Sequence, residues 1–208
     1  MNRFVMADSL PDRVVLTDDP ARVRMIVSHY LDQAETLYKH RGMIGCSGEY
    51  QGAGMAVISC GFGESAVKLY LEEAVRLGAR EFIYLGDGIS LTRKIDLMSV
   101  IIAEGGSPEL LKRIVTIAEK TSVPVKIIET VTNDCFWCDG VNVQDKRGWD
   151  IADFAASAVH TAANSLNVSA AVILTVSENT AKAERVSEET RQSGFSDASV
   201  LALETLSK

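Results

Sequence analysis

The sequence has no run approaching the roughly 18 consecutive apolar residues of a membrane-spanning helix. Its first 13 residues carry Asp8 and Asp12 and lack the apolar stretch of a secretory leader. Both absences point to a cytoplasmic protein. Basic residues are outnumbered, 21 Lys and Arg against 28 Asp and Glu, for a formal net charge of −7. Affinity for nucleic acid depends on Lys and Arg neutralising phosphates, so the expected partner is a small molecule, with neither nucleic acid nor membrane involved. Cysteine is scarce: four in 208 residues do not make a disulfide framework and are read as reduced thiols. Linkers and internal repeats are missing too. A chain of 208 residues buries enough apolar surface to fold without staples, and one domain over residues 1–208 is expected.

What is there is an alternation of short apolar runs and amphipathic segments. Val14, Val15 and Leu16 form a β-branched run that stops at Thr17-Asp18-Asp19-Pro20, where an acidic cap and a proline begin a helix over residues 21–31. A glycine-punctuated β region follows over residues 42–63, with a buried strand at 55–59. Gly61-Phe62-Gly63 leads into a helix over 65–77 that stops at Gly78. Strands are expected at 82–85, 97–103, 125–131 and 170–176, and helices from Ser107-Pro108-Glu109 onward, at 150–166 and at 180–193. Such alternation predicts an α/β sheet covered on both faces, with its ligand site at the carboxyl ends of the strands. The residues there include Asp18, Asp19, Arg22, Asp87, Asp134, Phe136, Trp137, Ser177 and Glu178.

Several local signals admit two readings. Cys135-Phe136-Trp137-Cys138 has the spacing of a redox motif or half a zinc site, but Cys46 and Cys60 lie far upstream, and small buried thiols fit better, so no metal is assigned. His29, His40 and His160 share no motif and suit capping or surface roles. Gly61-Phe62-Gly63 is either a phosphate-cradling turn or simply a tight one, because the third glycine and downstream acid of a dinucleotide fingerprint are missing. No cofactor is implied. Phe136-Trp137 can stack on a heterocyclic base or pack in the core. Glu178, directly after an apolar strand, is a candidate proton donor or a helix cap.

The stretch Arg41-Gly42-Met43-Ile44-Gly45-Cys46-Ser47-Gly48-Glu49-Tyr50-Gln51-Gly52 is similar to the hexameric, bacterial-type purine nucleoside phosphorylases. Collinear landmarks extend the likeness from Val14 to about Arg185: Asp19-Pro20-Ala21-Arg22, Gly61-Phe62-Gly63, Tyr84-Leu85-Gly86-Asp87, Asn133-Asp134-Cys135-Phe136-Trp137, Asp153-Phe154-Ala155 and Thr175-Val176-Ser177-Glu178. The resemblance to the nucleoside phosphorylase superfamily implies a three-layer αβα sandwich around a mixed, partly barrel-like sheet. It also implies assembly as dimers or trimers of dimers, and cleavage of N-glycosidic bonds with phosphate or water as nucleophile. On that resemblance Arg22, Arg41 and Asp87 fall at the anion site, Arg41 reaching in from a neighbouring subunit. Phe62, Phe136, Trp137, Asp153, Phe154 and Ser177 fall around the substrate. Glu178 takes the place of the acid that protonates the base, assisted by Arg185 from the following helix.

Departures from the family pattern concentrate on the phosphate and sugar side. Asp18 stands for a glycine, Tyr84 for a third phosphate arginine, Asp87 for a serine and Ala155 for the glutamate that holds the ribose diol. Two carboxylates would repel an incoming anion at close range unless the arginines outweigh them. The expectation is therefore hydrolysis, with Asp18 activating water and Glu178 as the acid. Competing expectations are true phosphorolysis with Arg22 and Arg41, a binding protein without turnover, and a biosynthetic enzyme acting on a different, cationic substrate.

Overall fold

Two X-Gly pairs shape the N-terminal half. In the computed structural model, which describes residues 4–134, 148–193 and 195–208, Arg41-Gly42 (φ +51°, +82°) and Gln51-Gly52 (φ +51°, +79°) have the two left-handed residues of a tight hairpin turn. They join β2 (Asp32–His40), β3 (Met43–Tyr50) and β4 (Ala53–Ser59) into an antiparallel meander. Before it come β1 (Arg13–Thr17) and α1 (Pro20–Tyr30), the helix capped by the Asp19 carboxylate accepting from Ala21 N at 2.7 Å. After it come α2 (Glu64–Arg76), β5 (Glu81–Ser90), β6 (Val100–Ala103), α3 (Pro108–Thr121), β7 (Val125–Ile128), β8 (Thr130–Thr132) and β9 (Ile151–Asp153). The chain finishes with α4 (Ala156–Leu166), β10 (Ser169–Asn179), β11 (Glu184–Arg185), α5 (Glu188–Ser193) and α6 (Ser196–Leu206).

The main path of the sheet runs β2-β3-β4-β1-β5-β10-β6-β7, with β4, β1, β5 and β10 parallel at its centre and β6 antiparallel to β10. Alternation along the central strands sorts side chains to two faces. Val14, Leu16, Phe82, Tyr84, Val172 and Leu174 pack with α2 and α4 on one face. On the other face Val15, Ile83, Leu85, Ala171 and Ile173 pack with α1, α3 and α6. The result is the expected three-layer sandwich with a mixed sheet. β9 pairs antiparallel with the far end of β5 and parallel with β8, folding the sheet over at that corner. Among the described residues no helix is long and apolar enough to cross a membrane.

Several sequence expectations are corrected. The segment 32–40, which carried no assigned element, is an edge strand, largely exposed and therefore without an apolar signature. The strand expected over 125–131 is divided at Glu129 into β7 and β8, which pair with different partners. The helix expected over 150–166 begins only at Ala156, because Ile151 and Ala152 are buried in pairing with Ser90 and Ile89. The helix expected over 180–193 is a hairpin followed by the short α5. Asn179 pins that hairpin: its Nδ2 donates to Ile95 O (2.8 Å) and Thr92 O (3.0 Å), and its Oδ1 accepts from Lys182 N at 2.9 Å. The final residues, which carried no assigned element, form α6 and supply Leu201, Leu203 and Leu206 to the core.

Asp153 holds the β8–β9–α4 corner together. Wholly buried, its carboxylate accepts from Thr130 Oγ1 (2.6 Å), Thr132 Oγ1 (3.0 Å), Ala155 N (2.7 Å) and Ala156 N (2.6 Å). Replacing Asp153 with Ala leaves buried N–H groups without an acceptor, and chemical denaturation should register a loss of about 2–3 kcal/mol, with Asp153→Asn losing less.

Candidate active site

The carboxyl ends of β1 and β5 bring four charged side chains together. Arg22, in the first turn of α1 and 1 % exposed, points under the helix toward the sheet. Its Nη1 donates to Asp18 Oδ1 (2.9 Å), Thr17 Oγ1 (3.0 Å) and Leu85 O (3.1 Å), and its Nη2 donates to Asp87 Oδ1 at 2.7 Å. The Phe195 ring, at the start of α6, lies 4.9 Å from the guanidinium carbon and closes the other side. From α5, Arg191 Nη1 reaches Asp87 Oδ2 at 3.0 Å, as an ion contact rather than an aligned hydrogen bond. Two carboxylates and two guanidiniums thus neutralise one another.

At the position expected of an anion, Arg22 meets the chain's own carboxylates. Asp18 is 3 % exposed and Asp87 4 %, and together they take the strong donors of Arg22 that an external anion would need. Asp18 itself is pushed up to about 6, chiefly by burial, with Arg22 opposing and Asp87 and Asp19 adding to the rise. Its Oδ2 has no hydrogen-bond partner among the described residues. Tyr84, where the resemblance implies a third arginine, is buried on the opposite face of β5. Its ring lies over Gly86 so closely that a Cβ there would sit 2.5 Å from it.

Other expected site residues fall in different surroundings. Arg41 sits exposed at the β2–β3 turn, its guanidinium 5.7 Å from the Phe4 ring. Phe62 and Phe154 do come together, edge to face at 5.7 Å, with Phe62 60 % exposed. Beside them Asp134 caps α2 by accepting from Glu64 N at 2.9 Å. Asp153 is adjacent, but its carboxylate is turned into the corner described above. The substrate contact expected of it is therefore corrected to a structural one. Glu178 is half-buried at the end of β10, past a bulge, and Ser177 is buried beside it. Arg185 faces Glu178 across the β10–β11 pair, rather than from a helix as expected, and is exposed. Phe136 and Trp137 lie outside the described residues, as do Cys135 and Cys138.

Arg191 and Phe195 were not singled out in the sequence, where a polar segment and a lone aromatic near the C-terminus carry no spacing signal toward Asp87 or Arg22. Cys46 and Cys60 are buried free thiols, and Cys60 is pushed well up by burial. Among the described residues no group of three His, Cys, Asp or Glu side chains could hold a metal ion.

The fold is the nucleoside phosphorylase fold, and the chain resembles that superfamily along nearly its whole length. It is 28 % identical over 221 residues to the DeoD-type purine nucleoside phosphorylase of Aliivibrio salmonicida, with 95 % of this chain and 94 % of that protein covered. To the DeoD-type enzyme of Exiguobacterium sp. it is 29 % identical over 224 residues, covering 94 % and 93 %. Among solved structures, purine nucleoside phosphorylase from Toxoplasma gondii superposes with a TM-score of 0.87 at 18 % identity, over 96 % of this chain and 91 % of that one. Uridine phosphorylase from Vibrio fischeri superposes with a TM-score of 0.81 at 25 % identity, over 95 % and 92 %. No protein-family model matches the chain.

The charge cluster makes a stability prediction. Arg22→Met leaves Asp18 and Asp87 buried without their shared cation and should cost about 3–5 kcal/mol at neutral pH, measured by urea denaturation. The carboxyl of Asp18 titrates higher in the folded chain than in the unfolded one. Its contribution is therefore fully present below about 4 and is lost as pH rises through about 6. The deficit of Arg22→Met should accordingly shrink at pH 5, where Asp18 can take up a proton.

Proposed function

We propose that this chain is an enzyme of the nucleoside phosphorylase superfamily that cleaves the N-glycosidic bond of a purine-like nucleoside or related compound by hydrolysis. The observation that carries this reading is the Arg22 guanidinium, neutralised within the chain by Asp18 and Asp87. A phosphate dianion entering here would meet two carboxylates and an Arg22 whose two terminal nitrogens already donate within the chain. Water meets no such barrier.

In this scheme Asp18 is the base. Its Oδ1 is fixed by Arg22 while Oδ2, though buried, has no partner among the described residues, and a carboxyl titrating near 6 is ionised at neutral pH yet basic enough to take a proton from a water admitted beside it. Glu178 donates a proton to the departing base. Asp18 follows β1 and Glu178 lies on β10, with β5 between them and Glu178 level with Ile89, about three residues further along the strands, so roughly 10 Å across the sheet and about as much along it separate them, room for a nucleoside. Positive charge developing on the sugar is stabilised by the Asp18 carboxylate. Phe62 and Phe154 offer an apolar wall, and Phe136 and Trp137 are retained as the base-stacking pair. Arg41, exposed on a hairpin tip, is suited to reach a neighbouring subunit of a homo-oligomer, whether a dimer or a trimer of dimers.

A second reading, phosphorolysis, is favoured by the relatives, which carry the names of phosphorylases. The two separate on product. Under the hydrolytic reading, purine nucleosides are cleaved in phosphate-free buffer to base and free sugar, and millimolar phosphate leaves the rate unchanged. Cleavage only on adding phosphate, with sugar 1-phosphate as product, refutes it. Asp18→Asn and Glu178→Gln should each lower turnover by about 10²–10⁴-fold while leaving base affinity nearly intact in calorimetry.

The pH profile of kcat/KM supplies a separate check. Because Asp18 must be ionised to act as base, activity should fall below a pH of about 6 as its carboxyl takes up a proton. An acidic limb that stays in place in the residual activity of Asp18→Asn would assign the titration to another group.

A further inference from the structure

The carboxylate of Asp87 does something more specific than add negative charge. Its two oxygens are divided between two guanidiniums, Oδ1 on Arg22 Nη2 at 2.7 Å and Oδ2 on Arg191 Nη1 at 3.0 Å. This is how a bound oxyanion bridges a pair of arginines. The bridge is incomplete. Arg22 Nε, on a residue 1 % exposed, and Arg191 Nε are both buried donors with no hydrogen-bond acceptor among the described residues, although Glu188 Oε1 lies 3.9 Å from the latter. The planar carboxylate accepts an aligned hydrogen bond only from Arg22 and meets Arg191 as an ion contact, whereas a tetrahedral oxyanion has additional oxygens to offer.

The surrounding packing keeps external anions out. The gap lined by Arg22, Leu85, Gly86, Thr175 and Phe195 leaves no space for even a water. Arg191 is the member that can yield, being a quarter exposed on the six-residue α5 while Arg22 is enclosed between α1, the sheet and Phe195.

We propose that Arg22 and Arg191 form a two-arginine oxyanion cradle, and that the Asp87 carboxylate plugs it from within as a covalently attached substitute for inorganic phosphate. Arg191 thereby becomes an anion-site residue and Asp87 the residue that sets the choice of nucleophile. The inference rests on the hydrolytic reading for its meaning in catalysis, but not for its test. Asp87→Ser removes the plug, leaves a hydroxyl able to donate to an oxyanion, and keeps Asp18 as the partner of Arg22.

The test is calorimetric titration of inorganic phosphate, at constant ionic strength in chloride, into the wild type, Asp87→Ser, and Asp87→Ser combined with Arg191→Ala. Phosphate-induced shifts in Tm are read in parallel. The wild type should show no saturable binding at millimolar phosphate. Asp87→Ser should bind at least roughly tenfold more tightly, and the double variant should lose that gain. Should Asp87→Ser fail to fold without ligand, its recovery on refolding with phosphate but not with chloride is the expected result, and failure with both anions counts against the proposal. Folded Asp87→Ser without phosphate binding overturns it, as does wild type that binds equally well. A double variant that retains the binding removes Arg191 from the cradle. The titration needs no substrate, so absence of nucleoside cleavage would refute the hydrolytic reading and leave this result standing, and the reverse holds as well.

Discussion

A fully enclosed arginine held by two carboxylates is the interaction around which this end of the molecule is arranged. An unpaired guanidinium could not be buried at this cost in solvation, and neither could Asp18 or Asp87 alone. Each charge requires the others, and the requirement fixes the relative positions of β1, β5 and α1. It also draws in two elements that the parallel core does not demand: α6, through the Phe195 ring, and α5, through Arg191. The C-terminal residues are therefore both core-forming and site-forming.

The same interaction sets the chemistry available. A guanidinium at the end of parallel strands beside a helix N-terminus is well placed for an oxyanion. Here the anion is supplied by the chain, so the local positive charge is cancelled before any ligand arrives. What remains is a buried carboxyl with one free oxygen that titrates close to neutrality. Burial raises it and Arg22 restrains the rise, and the balance between those opposing effects leaves a group suited to exchanging a proton rather than to holding a permanent charge.

Much of this was legible in the sequence because it depends on local pattern. The β-branched run before Asp18, the Asp19-Pro20 cap and the alternation of apolar runs located the layers and the ends of the strands where Arg22, Asp87 and Glu178 lie. The departures at Asp18, Tyr84, Asp87 and Ala155 were visible as substitutions within collinear motifs. What sequence did not disclose was pairing at a distance. Nothing along the chain links Arg191 to Asp87, and nothing warns that Asp153 is consumed by two threonines and two backbone amides. Edge and corner strands were missed for a related reason. Residues 32–40 expose most of their side chains, and Ile151–Asp153 is a strand only because β5 extends far enough to receive it, so local composition pointed to a helix.

An external dianion is a stronger ligand for two arginines than one carboxylate is, so the exclusion of phosphate by Asp87 needs a cause beyond neutral charge. The decisive difference is tethering. A side chain attached beside its partners competes at an effective concentration of roughly millimolar or above, comparable with phosphate in a cell, and it is already desolvated. Displacing it also strands the Asp87 charge in a buried position with no other cation among the described residues to receive it. Phosphate must therefore supply both its own desolvation and that of the carboxylate it evicts, whereas a water molecule at the free oxygen of Asp18 disturbs neither pair. Under the proposed hydrolytic reading, the nucleophile is the ligand that leaves the ion pairs intact.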